Sequence, residues 1–368
     1  MTDVELTIDA LAATGPGIGR DAAGRVTFVP RTAPGDRVRA RVVSATKTFA
    51  HAELVELLAP GAARVEAVCP HVREGCGGCQ WQEVAYPAQL AAKQDIVARA
   101  LRKLAGLRIH EIRAPAPPLG WRRRARFHVE RGRVGLYREQ SHALVAIDAC
   151  PQLEPALDAA LRTVIAARPP DGELALLLAH DGRVVIATER AWPAAPFRDE
   201  VVEIDPGIRG DALAFAQASA AGNRALVAAA VELLGNGPGT LLELHAGAGN
   251  FTRAFAAAGW TVTPSDLRAP AAPPPRFRTG AADEILRRAP RGWDAIALDP
   301  PRTGAAECVA GILAHAPRVV VYVSCDPATL ARDAERLVAG GYRATDAVPL
   351  DVMPQTAHIE VVLRLERA

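Results

Sequence analysis

Cys325 closes a hydrophobic run at residues 319–323 and stands immediately before Asp326 and Pro327. Four valines and a tyrosine compose that run, as in a strand buried on both faces. Asp326 is a good N-cap and Pro327 suits the first helical position, so the spacing predicts a helix from about residue 327 to 337. A thiol between a strand's carboxyl end and a helix's amino end lies on the ligand-binding edge of an open α/β sheet, where the helix dipole favours thiolate. Cys325 is therefore a candidate nucleophile, against the plainer reading of a small buried apolar residue. A second group of thiols is clustered. Cys69, Cys76 and Cys79 fall within eleven residues, the last two as C-x-x-C around two glycines. That spacing lets thiolates converge on one centre, with Cys150, next to Pro151, as the natural fourth ligand. Zinc and an iron–sulfur cluster both accept four thiolates, and His71 offers a nitrogen if the ion is zinc.

The elements that must position Cys325 begin at about residue 211, where strands and helices alternate as in a parallel sheet. A first strand at 240–244 runs into His245, Gly247, Gly249 and Asn250, and glycines at such a turn let a nucleoside approach the backbone. The strand after it ends at Asp266, an acid able to accept ribose hydroxyl protons. A further strand at 293–299 ends at Asp299 and enters a rigid loop of Pro300, Pro301 and Arg302. A closing strand at 358–365 carries Glu360 near its start.

Upstream, residues 4–58 alternate apolar and polar positions between glycine turns, the pattern of a small five-stranded barrel of the oligonucleotide-binding kind. Arg37, Arg39 and Arg41 share one face, with Lys47, Phe49 and His51 following: a surface for single-stranded RNA, or simply a solvated strand face. Residues 87–107 read as one amphipathic helix and 115–118 as a stiff proline link. Trp121 and Phe127 among arginines offer stacking together with phosphate contacts. Strands are expected at 174–178 and 184–187, and no chemistry is read between residues 155 and 210.

The totals bound the class. With 368 residues, 49% hydrophobic and 23% charged, the chain suits two or three soluble domains, and a formal charge of +2 makes any basic surface local. No amino-terminal signal and no apolar run long enough to span a bilayer is read, so the cytoplasm is the expected location.

These motifs together resemble the RNA 5-methyluridine methyltransferases, the S-adenosylmethionine-dependent uracil-5 family. The likeness is closest to the branch with an amino-terminal TRAM domain and a [4Fe–4S] cluster that acts on 23S rRNA. It rests on the cysteine run with Cys150, on Phe215, Ala216 and Gln217, and on residues 244–252, 299–302, 324–333 and 354–360. The resemblance implies an α/β fold: a TRAM, OB-like barrel at 1–60, a mostly β iron–sulfur RNA-binding domain at 61–210, and a class I (Rossmann-like) methyltransferase domain at 211–368. Helix 87–107 is expected to pack on the last of these. It implies Cys325 as nucleophile and Glu360 as base. Gln217, His245, Gly247, Gly249, Asn250, Asp266 and Asp299 are implied as contacts for S-adenosylmethionine or the target base, and Cys69, Cys76, Cys79 and Cys150 as cluster ligands. It also implies a monomer acting on RNA, ribosomal before transfer RNA.

The residue types suit that chemistry. Carbon 5 of uracil is a poor nucleophile until a thiolate adds at carbon 6, and a carboxylate must then remove the carbon-5 proton. The target uridine has to leave its stack to reach the site. RNA cytosine-5 enzymes carry a second cysteine in the loop that here reads Pro300, Pro301, Arg302, which favours uracil. Departures from the family pattern fall at Asp266, where glutamate is usual, at His245, where tyrosine or phenylalanine is common, and in the proline run 269–275, which cannot form a helix interior. The adenine contact is expected within 280–283. Two other readings remain open: an RNA-binding protein that has lost methyl transfer, and a methyltransferase acting on nitrogen, in which Cys325 has no role.

Overall fold

The alternating amino-terminal residues close into a five-stranded barrel in the order β1-β2-β3-β5-β4. Its strands are β1 (Asp3–Leu11), β2 (Gly17–Arg20), β3 (Val26–Val29), β4 (Arg37–Ala45) and β5 (Phe49–Ala59). The computed structural model describes residues 2–368 except Gln140, Ala214 and Ala271. Leu6, Ile8, Val29, Val38, Ala40 and Ala52 fill the barrel by the strand period of two. The basic face carries its own counter-charges: Arg39 binds Glu5 at 3.0 Å and Glu56 at 2.6 Å, and Arg41 binds Asp3 at 3.0 Å. Exposed pairs of this kind contribute little stability, but they reduce the free positive charge on that face. The aromatic surface is the cluster of Phe28, Phe49 and His51, with Phe28 stacked on His51 at 5.3 Å between centroids.

Two helices follow, α1 (Pro70–Arg73) and α2 (Tyr86–Ala100), then the two-residue strand β6 (Arg108–Ile109). The second helix stops short of residue 107, although Leu101 and Leu104 stay buried through a turn in which Leu104 N donates to Leu101 O. A five-stranded antiparallel sheet comes next, in the order β11-β10-β7-β8-β9. It contains β7 (Arg124–Glu130), β8 (Arg133–Tyr137), β9 (Leu144–Ala146), β10 (Gly172–Leu178) and β11 (Val184–Thr188). Between β9 and β10 lies α3 (Pro155–Ala166), absent from the sequence reading; its Leu157, Leu161 and Val164 pack on Phe127, Leu174 and Leu176. Trp121 and Phe127 are 3% and 1% exposed, which removes them as stacking surfaces for RNA. Tyr137 and His128, both half-buried, stack on one another at 3.8 Å between centroids. The hairpin β12 (Val202–Asp205) and β13 (Ile208–Gly210) is tied to the sheet by Arg123, which is buried and binds Asp205 at 2.6 Å.

The remainder winds about an eight-stranded sheet in the order β16-β15-β14-β17-β18-β20-β19-β6. Helix α4 (Ala220–Leu234) leads into β14 (Gly239–Leu244), α5 (Asn250–Ala257), β15 (Trp260–Asp266), β16 (Arg278–Thr279) and α6 (Ala282–Arg288). Next come β17 (Ala295–Leu298), α7 (Val309–His315), β18 (Val319–Ser324), α8 (Pro327–Ala339), β19 (Tyr342–Leu350) and β20 (Glu360–Arg367). Strands β14 to β18 are parallel, whereas β20 runs antiparallel between β18 and β19. Every residue of β18 is buried, as its composition requires. No described residue in 267–277 is helical, so the proline run takes the form its φ restriction dictates, while the strand after it survives as β16. Helix α2 packs on α8 and β19, and β6 extends the sheet beside β19. Among the described residues no helix is long and apolar enough to cross a membrane.

Candidate active site

Register brings the candidate residues to one edge. Leu244 pairs with Ser265 and Leu298, and Leu298 with Tyr322, so His245, Asp266, Asp299 and Cys325 all lie at or just beyond the carboxyl ends of adjacent parallel strands. Strand β20 enters this edge from the other direction. Its Val361 pairs with Ser324, which puts Glu360 opposite Cys325 one step further along the same register. Two residues 35 positions apart in sequence are thereby neighbours. Helix α8 starts as its caps predict: Asp326 Oδ1 accepts from Ala328 N and Thr329 N, both at 2.9 Å, and Pro327 takes the first turn. Asp333, fully buried, holds the proline loop in place by accepting from Ala305 N at 2.8 Å and Tyr322 Oη at 2.9 Å.

The electrostatics of this corner oppose free thiolate. Burial pushes the Cys325 thiol up to about 11, Glu360 and Asp299 add to the rise, and Arg302 and a backbone N–H work against it. The expectation of a lowered thiol pKa is thus reversed by burial and two carboxylates. Glu360, 5% exposed, is itself held well above the usual carboxylate range by burial and by Asp299. Burial raises Asp299 to about 7. Arg302 is positioned by donating to His358 Nδ1 at 3.1 Å, and burial together with Arg302 drives that imidazole down to about 4, so it stays neutral and accepts. Arg302 and His358 have no assigned role in the sequence reading; both sit within motifs that it did single out.

The glycine turn lies beside this corner. Gly247 (φ +54) donates its N–H to Asp266 Oδ2 at 2.9 Å, and Gly249 (φ +86) begins α5, where an added Cβ would meet Pro274 Cγ at 2.9 Å. The proline run therefore lies against the turn. Asn250 exchanges both amide bonds with Asn223 of α4, at 2.8 and 3.0 Å, so it ties α4 to the turn. Gln217 lies two residues ahead of Ser219, the N-cap of α4, and its carbonyl accepts from Arg123. Glu243, which the sequence reading passed over inside an apolar run, is buried and raised to about 8; Thr252 Oγ1 donates to its Oε2 at 2.6 Å. Its Oε1 and the Nε2 of His245 are buried without hydrogen-bond partners, two polar atoms left for a ligand at this edge.

Comparison with known proteins adds the family. Residues 2–55 match the TRAM domain model and residues 291–368 the tRNA (uracil-5-)-methyltransferase model. A 23S rRNA (uracil(1939)-C(5))-methyltransferase RlmD of Aeromonas salmonicida is 32% identical, over 99% of this chain and 96% of its own length. The chain belongs to the RNA (uracil-5-)-methyltransferase family. The RlmD of Halomonas elongata is 33% identical over 98% of this chain and 89% of its own. The solved tRNA (uracil-54, C5)-methyltransferase of Pyrococcus abyssi, bound to S-adenosyl-L-homocysteine, has the same fold, with a TM-score of 0.75 at 22% identity over 98% of this chain and 99% of its own.

In this methyltransferase Cys69, Cys76, Cys79 and Cys150 line one cavity of about 90 Å³, together with His71 and Arg122. Burial raises all four thiols, Cys79 to about 12. His71 is not free to ligate: its Nδ1 lies 3.1 Å from Glu74 and its Nε2 2.9 Å from Asp148. A single tetrahedral zinc needs sulfurs about 3.8 Å apart, from zinc–sulfur bonds of about 2.3 Å. No three of the four sulfurs lie within 4.8 Å of one another, because the only described trio of ligand atoms that close is His245, Glu307 and Cys308.

Proposed function

We propose that this chain methylates carbon 5 of a uridine in structured RNA, with 23S rRNA ahead of transfer RNA, using S-adenosylmethionine and a covalent cysteine adduct. The observation that carries the reading is the meeting of Cys325 and Glu360 across β18 and β20, with Asp299 and Arg302 beside them. Cys325 Sγ adds to carbon 6 and the displaced electron pair makes carbon 5 nucleophilic. Carbon 5 then takes the methyl group, and S-adenosylhomocysteine leaves. Glu360 removes the carbon-5 proton, the carbon 5–carbon 6 double bond re-forms and the thiolate is expelled. One proton is released for each methyl transferred. Arg302 stabilises the negative charge as it develops.

Gln217, His245, Gly247, Gly249, Asn250, Asp266 and Asp299 serve the cofactor or the base: Asp266 through the ribose, the glycines through backbone approach, Asn250 by holding the turn. The unpartnered atoms of Glu243 and His245 support a polar ligand at that edge. Segment 280–283, where Gly280 N donates to Asp266 O at 2.9 Å, walls the adenine side. We read the boundaries at about residues 60 and 210, and the protein as a monomer. Cys69, Cys76, Cys79 and Cys150 hold a [4Fe–4S] cluster, a reading supported by the one cavity that all four thiols line. Its part is to order the segment around it.

The test is methyl transfer from labelled S-adenosylmethionine to unmodified ribosomal and transfer RNA, with nucleoside mass spectrometry of the product. The expected product is 5-methyluridine in 23S rRNA, lost in Cys325→Ala and trapped as an adduct on 5-fluorouridine RNA. Full activity in Cys325→Ala would overturn the covalent mechanism. Absence of cofactor binding would favour an RNA-binding role without catalysis.

A further inference from the structure

Glu307 and Cys308 take no part in the reaction above, yet the fold brings both to His245. The loop after β17 is fixed by Asp333 at Ala305 and then delivers Cys308 to the start of α7, where it is fully buried. His245 enters from the end of β14 with a left-handed φ of +59, a conformation unusual for a non-glycine residue. One nitrogen or sulfur or carboxylate oxygen from each of the three lies within 4.8 Å of the others. Independently, the Nε2 of His245 is buried and has no hydrogen-bond partner. A buried ring nitrogen without a partner, on a histidine that stands beside a thiol and a carboxylate, is short of a ligand.

We propose that His245, Glu307 and Cys308 bind one zinc-class divalent ion at the lip of the cofactor pocket, and that this ion and S-adenosylmethionine exclude each other. Imidazole, thiolate and carboxylate together suit a borderline-soft ion, and three protein ligands leave a fourth position for water. Tetrahedral zinc needs these donors roughly 3.3–3.7 Å apart, from bonds of about 2.0–2.3 Å. The exposed side chain of Glu307 is free to rotate its carboxylate to that distance, and small side-chain shifts bring His245 and Cys308 together. Binding forms a metal–sulfur bond and releases the Cys308 proton to solvent. The second half of the proposal rests on the cofactor reading given above. S-adenosylmethionine brings a sulfonium cation to the edge that His245 shares with Asp266, so a dication on His245 repels it and occupies one of its contacts.

The experiment uses the full-length protein, isolated with its four-cysteine site filled and then dialysed against zinc at fixed free concentration. Bound zinc is counted by mass spectrometry, and S-adenosylmethionine affinity is measured in the same samples. The expected result is one more zinc per chain in the wild type than in Cys308→Ser, with Glu307→Gln weakened. Free zinc at ten times its dissociation constant should raise the apparent cofactor dissociation constant about 11-fold in the wild type, by simple competition, and leave Cys308→Ser unchanged. Equal zinc in wild type and Cys308→Ser would overturn the site. A zinc lost in Cys308→Ser without any effect on cofactor affinity would overturn the exclusion. Failure of the wild type, with its four-cysteine site filled and no added zinc, to bind S-adenosylmethionine would instead refute the cofactor reading and leave the zinc count standing.

Discussion

A thiol raised from about 9 to about 11 has a defined chemical signature in the substrate-free protein. At pH 7 the thiolate fraction falls from about 1% to about 0.01%, a hundredfold loss in the reacting species. Alkylation of Cys325 by iodoacetamide should therefore be slow at neutral pH and climb about tenfold per pH unit between pH 8 and 10. Trypsin releases residues 319–332, in which Cys325 is the sole cysteine, so mass spectrometry of that peptide reads the rate directly. The slope matters more than the absolute rate, because half-burial also slows access. Arg302→Gln removes the one charge that opposes the rise and should slow alkylation further at every pH. S-adenosylmethionine should accelerate it relative to S-adenosylhomocysteine, since the two fill the same space and only the first brings a positive sulfur. A pH-independent rate, or one faster at pH 7 than an exposed thiol, would refute the reasoning and restore control to the dipole of α8. The expected outcome means that the nucleophile is held as thiol until the cofactor arrives.

Three further outcomes follow from the same structure. Lys93 and Asp351 form a fully buried pair at 2.6 Å, so Lys93→Met should destabilise the protein by about 3–5 kcal/mol in chemical denaturation, and adding Asp351→Leu should recover part of that. Glu243 is raised on folding from 4.5 to about 8, so the native state keeps a proton that the unfolded chain loses, and its contribution to stability falls as pH rises through that window. Glu243→Gln should accordingly shrink the stability lost between pH 5 and 8 in thermal melts. Gly249→Ala forces a side chain into a left-handed position and against Pro274, at a cost of about 1–2 kcal/mol from φ alone; calorimetry should show weaker cofactor binding with RNA affinity unchanged.

The parts of the site that were legible from sequence are those whose chemistry is local. Asp326 and Pro327 announce the start of α8 by capping rules, and the alternation in residues 4–58 announces a barrel, because both signals depend on neighbours a few positions away. The pKa of Cys325 was misread because its causes are not local: Glu360 and Asp299 come from other strands, and burial depends on the whole sheet. The role of Trp121 and Phe127 was misread for a related reason. An aromatic among arginines looks like a nucleic-acid surface until the face that α3 covers is known, and α3 had no strong start signal beyond Pro155. Lys93 and Asp351 were invisible as a pair, since 258 residues separate them.

The cysteine run and the catalytic corner are joined through Trp81, two residues past Cys79. Its indole donates to Gly15 O of the barrel at 2.7 Å, and its own N–H donates to Gln355 O at 3.1 Å. Gln89 of α2 closes the arrangement, donating to Gln355 Oε1 and to Trp81 O at 2.8 and 2.9 Å. Gln355 has a φ of +67 and stands five residues before Glu360, in the segment that also places His358 beside Arg302. The buried amide bonds give this loop one conformation, and a loop at positive φ without them would relax. Whatever orders the four cysteines thus orders Trp81, and through Gln355 the approach of Glu360 to Cys325. Emptying the thiol cavity should therefore lower turnover more than cofactor affinity, because among the described residues the glycine turn at 245–250 makes no hydrogen bond to Trp81, Gln89 or Gln355, whereas the proposed base lies at the end of that chain of contacts.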